Sequence, residues 1–180
     1  MDRGQRELAL TLGILAVAAA LRVWGLGFGL PLAESRPDEL TIAFQAMKFG
    51  RGDLNPHSFN YPTLFKYVAF GLYGAYYAIG RALDTFPDQE AFLRAFFSGA
   101  PAFRQLLRGW SALMGVGCVA LLLVAPGRRW SAALLAVAML HVRDSHFGVT
   151  DPQLTTLCVA SVVASMALRV QGTGDGLCMT

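Results

Sequence analysis

The sequence predicts an all-α fold: a polytopic bundle of transmembrane helices with short helices lying along the membrane surface. Three observations carry this. Hydrophobic residues make up 54% of the chain and charged residues 15%, with a mean hydropathy of +0.45, well to the apolar side of soluble domains. The apolar residues are also gathered into runs, and 8–21, 113–126, 130–140 and 152–168 hold no charge at all. A bilayer core takes about 20 helical residues to cross, with about 17 to 25 tolerated, so with their flanks all but the 130–142 run are long enough. Finally, the basic residues sit at the ends of these runs, where a membrane protein keeps them for orientation. The net charge of +3 and pI near 9.0 are therefore read as topology, and no nucleic-acid partner is expected.

The first span is placed at about 7–29. Arg3 and Arg6, an apolar stretch and Ala18-Ala19-Ala20 would also suit a cleavable signal peptide. The apolar character continues through Trp24, Leu26, Phe28 and Leu30, which favours an uncleaved span. An external loop of 30–103 follows. Within it 38–49 reads as an amphipathic helix, because Leu40, Ala43, Phe44 and Met47 share one face and Gly50 and Gly52 end it. The stretch 62–83 is long enough to cross, yet it carries Lys66 and three glycines, and all five tyrosines lie in it or just before it. Tyrosine clusters favour the membrane interface, where the ring is buried and the hydroxyl stays wet. Further spans are placed at about 104–125, 130–142 and 152–168, the last opened by Asp151-Pro152.

Parity decides the role of 62–83. With the N-terminus inside, the first span delivers Asp38 outside. If 62–83 lies on the surface, the next span puts Gly127-Arg128-Arg129 in the cytoplasm, as the positive-inside rule asks. The following spans then bring Asp144 and Asp151 out beside Asp38 and return Arg169 to the inside. If 62–83 crosses, the double arginine falls outside and the acids separate. The expectation is four spans plus two surface helices, forming one module over 1–170 with a tail of 171–180. Four spans enclose little, so the chain reads as the front part of a larger protein.

Three segments hold residues that can do chemistry. Arg36-Pro37-Asp38-Glu39 puts two carboxylates and a guanidinium just outside the first span, where charge is costly unless solvated or paired. The bland reading is a helix start, with Ser35-x-x-Asp38 resembling a capping box and acids suiting the dipole. In the second segment, 53–66, turn formers surround His57, a possible proton carrier or a plain surface histidine. Lys66, one turn into its helix, either snorkels to headgroups or holds a phosphate. The third is Arg143-Asp144-Ser145-His146 followed by Asp151-Pro152, again either a site or a cap. A Ser-His-Asp hydrolase is disfavoured, since no nucleophile elbow is present. Asp38, Asp151 and His146 lack diagnostic metal spacing, so no metal or other cofactor is called, although a divalent ion is compatible. Cys118, Cys158 and Cys178 read as small apolar filler.

Together these segments resemble the start of GT-C membrane glycosyltransferases that use lipid-phosphate sugars, among them protein O-mannosyltransferases and the aminoarabinose transferases of lipid A. The likeness lies in Pro37-Asp38-Glu39 after the first span, then Gly52-Asp53 through Pro56-His57 to an aromatic-Pro segment. It continues with the Gly127-Arg128-Arg129 loop and the stretch from Arg143 to Asp151. The resemblance implies a transferase that moves a sugar from a polyprenyl-phosphate donor to a hydroxyl or amine of a lipid or protein acceptor, with inversion. It implies a multi-pass protein of the bacterial inner membrane with its site on the external face. Asp38 would be the general base and Asp151 its second carboxylate, while Arg36, Glu39, His57, Lys66, Arg143 and His146 would contact substrate. One departure is Tyr61, which stands where the aminoarabinose branch has a lysine. The competing readings are a transporter or channel fragment with acidic ion sites, a non-catalytic membrane subunit, and an inactive truncated product.

Overall fold

The computed structural model describes residues 2–32, 36–125 and 127–175, with side chains to 168. Ser35 of the expected cap, the side chain of Arg169 and the end of the tail, Cys178 included, lie outside the described residues. Every regular element described is helical: α1 (Arg3–Val23), α2 (Pro37–Lys48), α3 (Thr63–Ala82), α4 (Gln89–Phe97), α5 (Pro101–Val124), α6 (Arg129–Val137), α7 (Met139–Ser145) and α8 (Asp151–Asp175).

Several boundaries differ from expectation for local reasons. The first helix stops at Val23 rather than near 29, because Trp24 is extended and Gly25 takes a positive φ. The chain then turns back on itself through Pro31. Both stretches expected to be surface helices are helical, as α2 and α3, and α2 runs on into a 3₁₀ turn, Phe49–Arg51, that the left-handed Gly52 closes. A further helix, α4, starts where the Asp88 carboxylate accepts the Ala91 N–H at 2.7 Å. The run read as one span over 130–142 is two helices broken at Ala138, whose ψ of 112° leaves the α region. No proline causes this break. The Ala136 carbonyl and the Leu135 carbonyl, which also takes the Ala138 N–H at 3.3 Å, accept from the guanidinium of Arg22 at 3.0 and 3.2 Å, so a buried cation from α1 caps α6. The last helix starts at Asp151 and continues past 168.

Four segments run alternately between two ends of the bundle: α1, α5, the α6–α7 pair and α8. At one end Arg129 pairs with Glu7, and Arg128 reaches Met166. At the other, His146 donates to the Leu21 carbonyl, and Arg104 and Arg108 bind the carbonyls of the 24–31 turn. Two of these helices, α5 and α8 over Asp151–Leu168, are long and apolar enough to cross a membrane.

Two cores result. In the bundle, Ala18, Val119, Ala132 and Ala136 bring α1, α5 and α6 together through small side chains. Gly115 lets α5 approach α7 so closely that a Cβ there would overlap the Ser145 hydroxyl and Arg22. The second core is aromatic. Phe65 and Tyr73 of α3, Phe86, Phe92 and Phe96 of the α4 region and Phe103 of α5 close over Ile42, Ala43 and Ala46 of α2. This second layer sits on the first turns of α5 and carries α2, whose N-terminus begins the site.

Candidate functional site

The site is built on a buried joint. Arg108, two turns into α5, extends its guanidinium across the end of the bundle. Its Nε and Nη2 donate to the two carboxylate oxygens of Glu39 at 2.8 and 2.7 Å, and Nη1 donates to Leu26 and Phe28 carbonyls at 2.8 and 2.7 Å. The backbone N–H of Gly148 adds a third donor to Glu39, at 2.6 Å. A Cβ at Gly148 would stand 2.6 Å from that of Leu107, so only glycine brings this backbone close enough. Both charged side chains are shut away from solvent, at 0% and 2% exposure. Such a pair is tolerable because every desolvated group is matched. Glu39 was expected to contact substrate; its oxygens are instead turned inward, where it acts as the fastener between α2, α5 and the segment before α8.

That fastener sets the groups around it. Asp38, half-buried in the first turn of α2, accepts a hydrogen bond from the Tyr61 hydroxyl at 2.6 Å. The neighbouring carboxylate, helped by burial, holds the Tyr61 hydroxyl above its ordinary range. Arg36 holds the N-cap position without capping the helix by its side chain. It lies 4.7 Å from the centre of the Phe147 ring, which Arg108 approaches from within at 5.3 Å. Asp144 joins Arg36 at 3.6 Å and Arg143 at 2.8 Å. His146 is half-buried and donates from Nε2 to the Leu21 carbonyl at 2.8 Å, so that nitrogen carries the proton. Asp151 is exposed at the start of α8 and has no side-chain partner among the described residues. Because Glu39 touches Gly148, the carboxylates one residue before the first and three after the second belong to the same end of the bundle. The structure thus brings Arg36, Asp38, Arg143, Asp144 and Asp151 to one end of the bundle, with Arg36 and Arg143 joined through Asp144.

His57 and Lys66 are not with them. His57 lies beyond the other end of α2, in a left-handed conformation (φ 51°), and pairs with Asp53 at 2.7 Å in solvent. That bond to His57 holds the Asp53 carboxyl below its ordinary range. Lys66 neither snorkels outward nor faces a phosphate site. Its ammonium is wholly buried and donates to the Ser58 carbonyl at 2.5 Å, and burial pushes its pKa down. It anchors the 53–62 loop to α3.

Sequence alone does not single out Arg108, Tyr61 as a partner of Asp38, or Asp144 as the acid between two arginines. A signal for the first was present: Arg104 and Arg108 stand one turn apart in a run otherwise apolar, and charges there demand partners. The second acid of Asp38-Glu39 is the natural candidate. No group of three His, Cys, Asp or Glu side chains placed to hold a metal ion occurs among the described residues. No family model, curated protein or solved structure matches the chain.

Proposed function

We propose that this chain is a membrane glycosyltransferase module of the GT-C type. It spans the bacterial inner membrane four times and transfers a sugar from a polyprenyl-phosphate donor to a lipid or protein acceptor at the external face. The observation that supports it is Asp38: a half-buried carboxylate at a helix start, oriented by Tyr61 at 2.6 Å and set on the Glu39–Arg108 joint.

In this reading a hydroxyl or amine of the acceptor attacks the anomeric carbon from the side opposite the phosphate, inverting it. The C–O bond to phosphate breaks as the new bond forms, and Asp38 takes the acceptor proton as that group becomes acidic in the transition state. Tyr61 keeps one carboxylate oxygen fixed, leaving the other for the acceptor. Arg36 and Arg143 both lean on Asp144, and a departing phosphate, carrying more charge than one carboxylate, draws them across. Asp151 faces solvent nearby and orients the acceptor or the sugar. Arranging the four helical segments as spans puts the basic Arg128-Arg129 end in the cytoplasm and these acids outside.

Two experiments test the proposal. Membranes holding the chain are supplied with radiolabelled polyprenyl-phosphate sugars, and transfer to endogenous lipid and protein is counted. Asp38→Asn should lower transfer by about 10²-fold or more, the usual span of general-base catalysis; equal transfer by wild type and Asp38→Asn sinks the assignment. Topology is read in a cysteine-free background by labelling Asp38→Cys, Asp84→Cys, Arg128→Cys and Asp151→Cys from outside. Protection of the third alone is expected. Labelling of the third with protection of Asp84→Cys and Asp151→Cys would separate the acids across the bilayer and end the two-carboxylate site.

A further inference from the structure

A second place on the molecule has the makings of a binding site, and neither Asp38 nor Asp151 belongs to it. Between α2, α3 and α4 lies an open apolar cavity of about 480 Å³, within the range of small-molecule clefts, about 300 to 1,000 Å³. Phe44, Met47, Phe70, Leu93 and Phe97 contribute to its walls, and Gly74 leaves part of one wall bare. At the mouth stand Lys48 and Arg51, both exposed and neither paired with a carboxylate among the described residues. The same two cations also border a second, smaller cavity of about 200 Å³, where Gln45, Asp53, Asn55 and His57 stand beside Phe49 and Pro56. There the Gln45 Oε1 is buried without a hydrogen bond, while Asp53, Asn55 and His57 are locked to one another at 2.7 to 3.1 Å. The order along the surface is therefore apolar trough, two neighbouring cations, and a cup that carries polar side chains.

That order matches one kind of molecule. We propose that this is a binding site for a phosphate-bearing membrane lipid with a hydroxylated head. One apolar chain lies in the trough, the phosphate sits between Lys48 and Arg51, and the head's hydroxyls bond in the cup. An apolar trough alone would accept any chain. Two unpaired cations at its rim select an anion, and the unsatisfied Gln45 oxygen beside them calls for a donor such as a hydroxyl. The site stands whether or not sugar transfer takes place at the α2 N-terminus.

The test uses the full chain in a neutral detergent and reads binding only. The probe is lysophosphatidylglycerol, with one chain, one phosphate and a glycerol head; lysophosphatidylcholine and glycerol phosphate are the comparisons. Binding is followed by calorimetric titration and native mass spectrometry. Lysophosphatidylglycerol should bind at least tenfold more tightly than lysophosphatidylcholine, and glycerol phosphate should not compete. The double variant Lys48→Gln/Arg51→Gln should weaken binding about tenfold or more. Gly74→Leu, which fills the trough where a Cβ meets nothing within 4 Å, should do the same with helicity and Tm not lowered. Arg94→Gln, which removes a cation of α4 that is already paired with Glu90, should change nothing. Equal binding of the two lysolipids, which share the phosphate, would remove the hydroxylated head from the proposal, and wild-type affinity in the double variant would remove the phosphate. Wild-type affinity in Gly74→Leu would remove the trough, and competition by glycerol phosphate would reduce the site to an anion patch.

Discussion

The aromatic layer of α2, α3 and α4 and the bundle of α1, α5 and α6 are packed by different means. In the first, rings do the filling: Phe92, Phe96, Tyr73 and Tyr76 all meet Phe103 edge-on or tilted at 5.1 to 5.4 Å. In the second, alanines and Gly115 bring backbones together, and the large side chain buried between α1 and α6 is Arg22, spent on carbonyls. On the proposed topology, with the bundle in lipid and the aromatic layer at its surface, the contrast follows from solvent. A helix surrounded by lipid gains little by burying leucine against leucine, so close backbone approach and satisfied polar groups hold it. A layer at the water interface gains from removing large aromatic surfaces from water, about 1.5 to 3 kcal/mol for each fully buried phenylalanine. The two layers meet at Glu39 and Arg108.

The sharpest way to break the comparison is at that joint. Glu39→Gln or Arg108→Met alone leaves a buried charge unmatched, and each should destabilise the chain by about 3 to 5 kcal/mol. The double variant Glu39→Gln/Arg108→Met should recover much of this, because the remaining groups are neutral. Unfolding in mixed micelles, followed by circular dichroism, measures all three. Additive losses in the double variant would mean that the pair is not coupled and the layers are joined elsewhere.

The layers were not equally legible in the sequence. Helical content, the helices α2 and α3 and the acid opening α8 followed from runs and turn residues, which are local properties. The break at Ala138 did not, because nothing at 138 forbids a helix; it depends on Arg22, more than a hundred residues away. The candidate site divided in the same way. Arg36, Asp38 and Asp151 are close in sequence to helix starts and Arg143 to a helix end, and all four lie at one end of the bundle. Glu39 was indistinguishable from Asp38 by neighbourhood, and only the position of Arg108 decides which acid is buried. Lys66 and His57 depended on how the 53–62 loop folds back, which composition does not encode.

One substitution made in both layers sharpens the contrast. Gly115→Ala places a Cβ against Ser145 and Arg22 in the bundle, where nothing yields cheaply, and should cost about 1 to 3 kcal/mol. Gly74→Ala in α3 meets open space and should stabilise by roughly 0.5 to 1 kcal/mol, since glycine inside a helix carries an entropic penalty. Opposite signs in the same unfolding assay are the expected result. A loss at both positions would mean that the aromatic layer is packed as tightly as the bundle.

The smallest effect belongs to Tyr61. Its hydroxyl donates to Asp38 at 2.6 Å, and Tyr61→Phe removes that bond with the ring retained, at a cost of about 0.5 to 1.5 kcal/mol near neutral pH. The hydroxyl is held above its ordinary value of 10.0, so the folded chain keeps this proton where the unfolded chain has lost it. The contribution is therefore complete below that value and disappears as pH rises through the folded one. Wild type and Tyr61→Phe should differ in unfolding midpoint at neutral pH and converge well above pH 10. A constant difference across that range would show that Tyr61 acts through ring packing, and that Asp38 is oriented by something other than its hydroxyl.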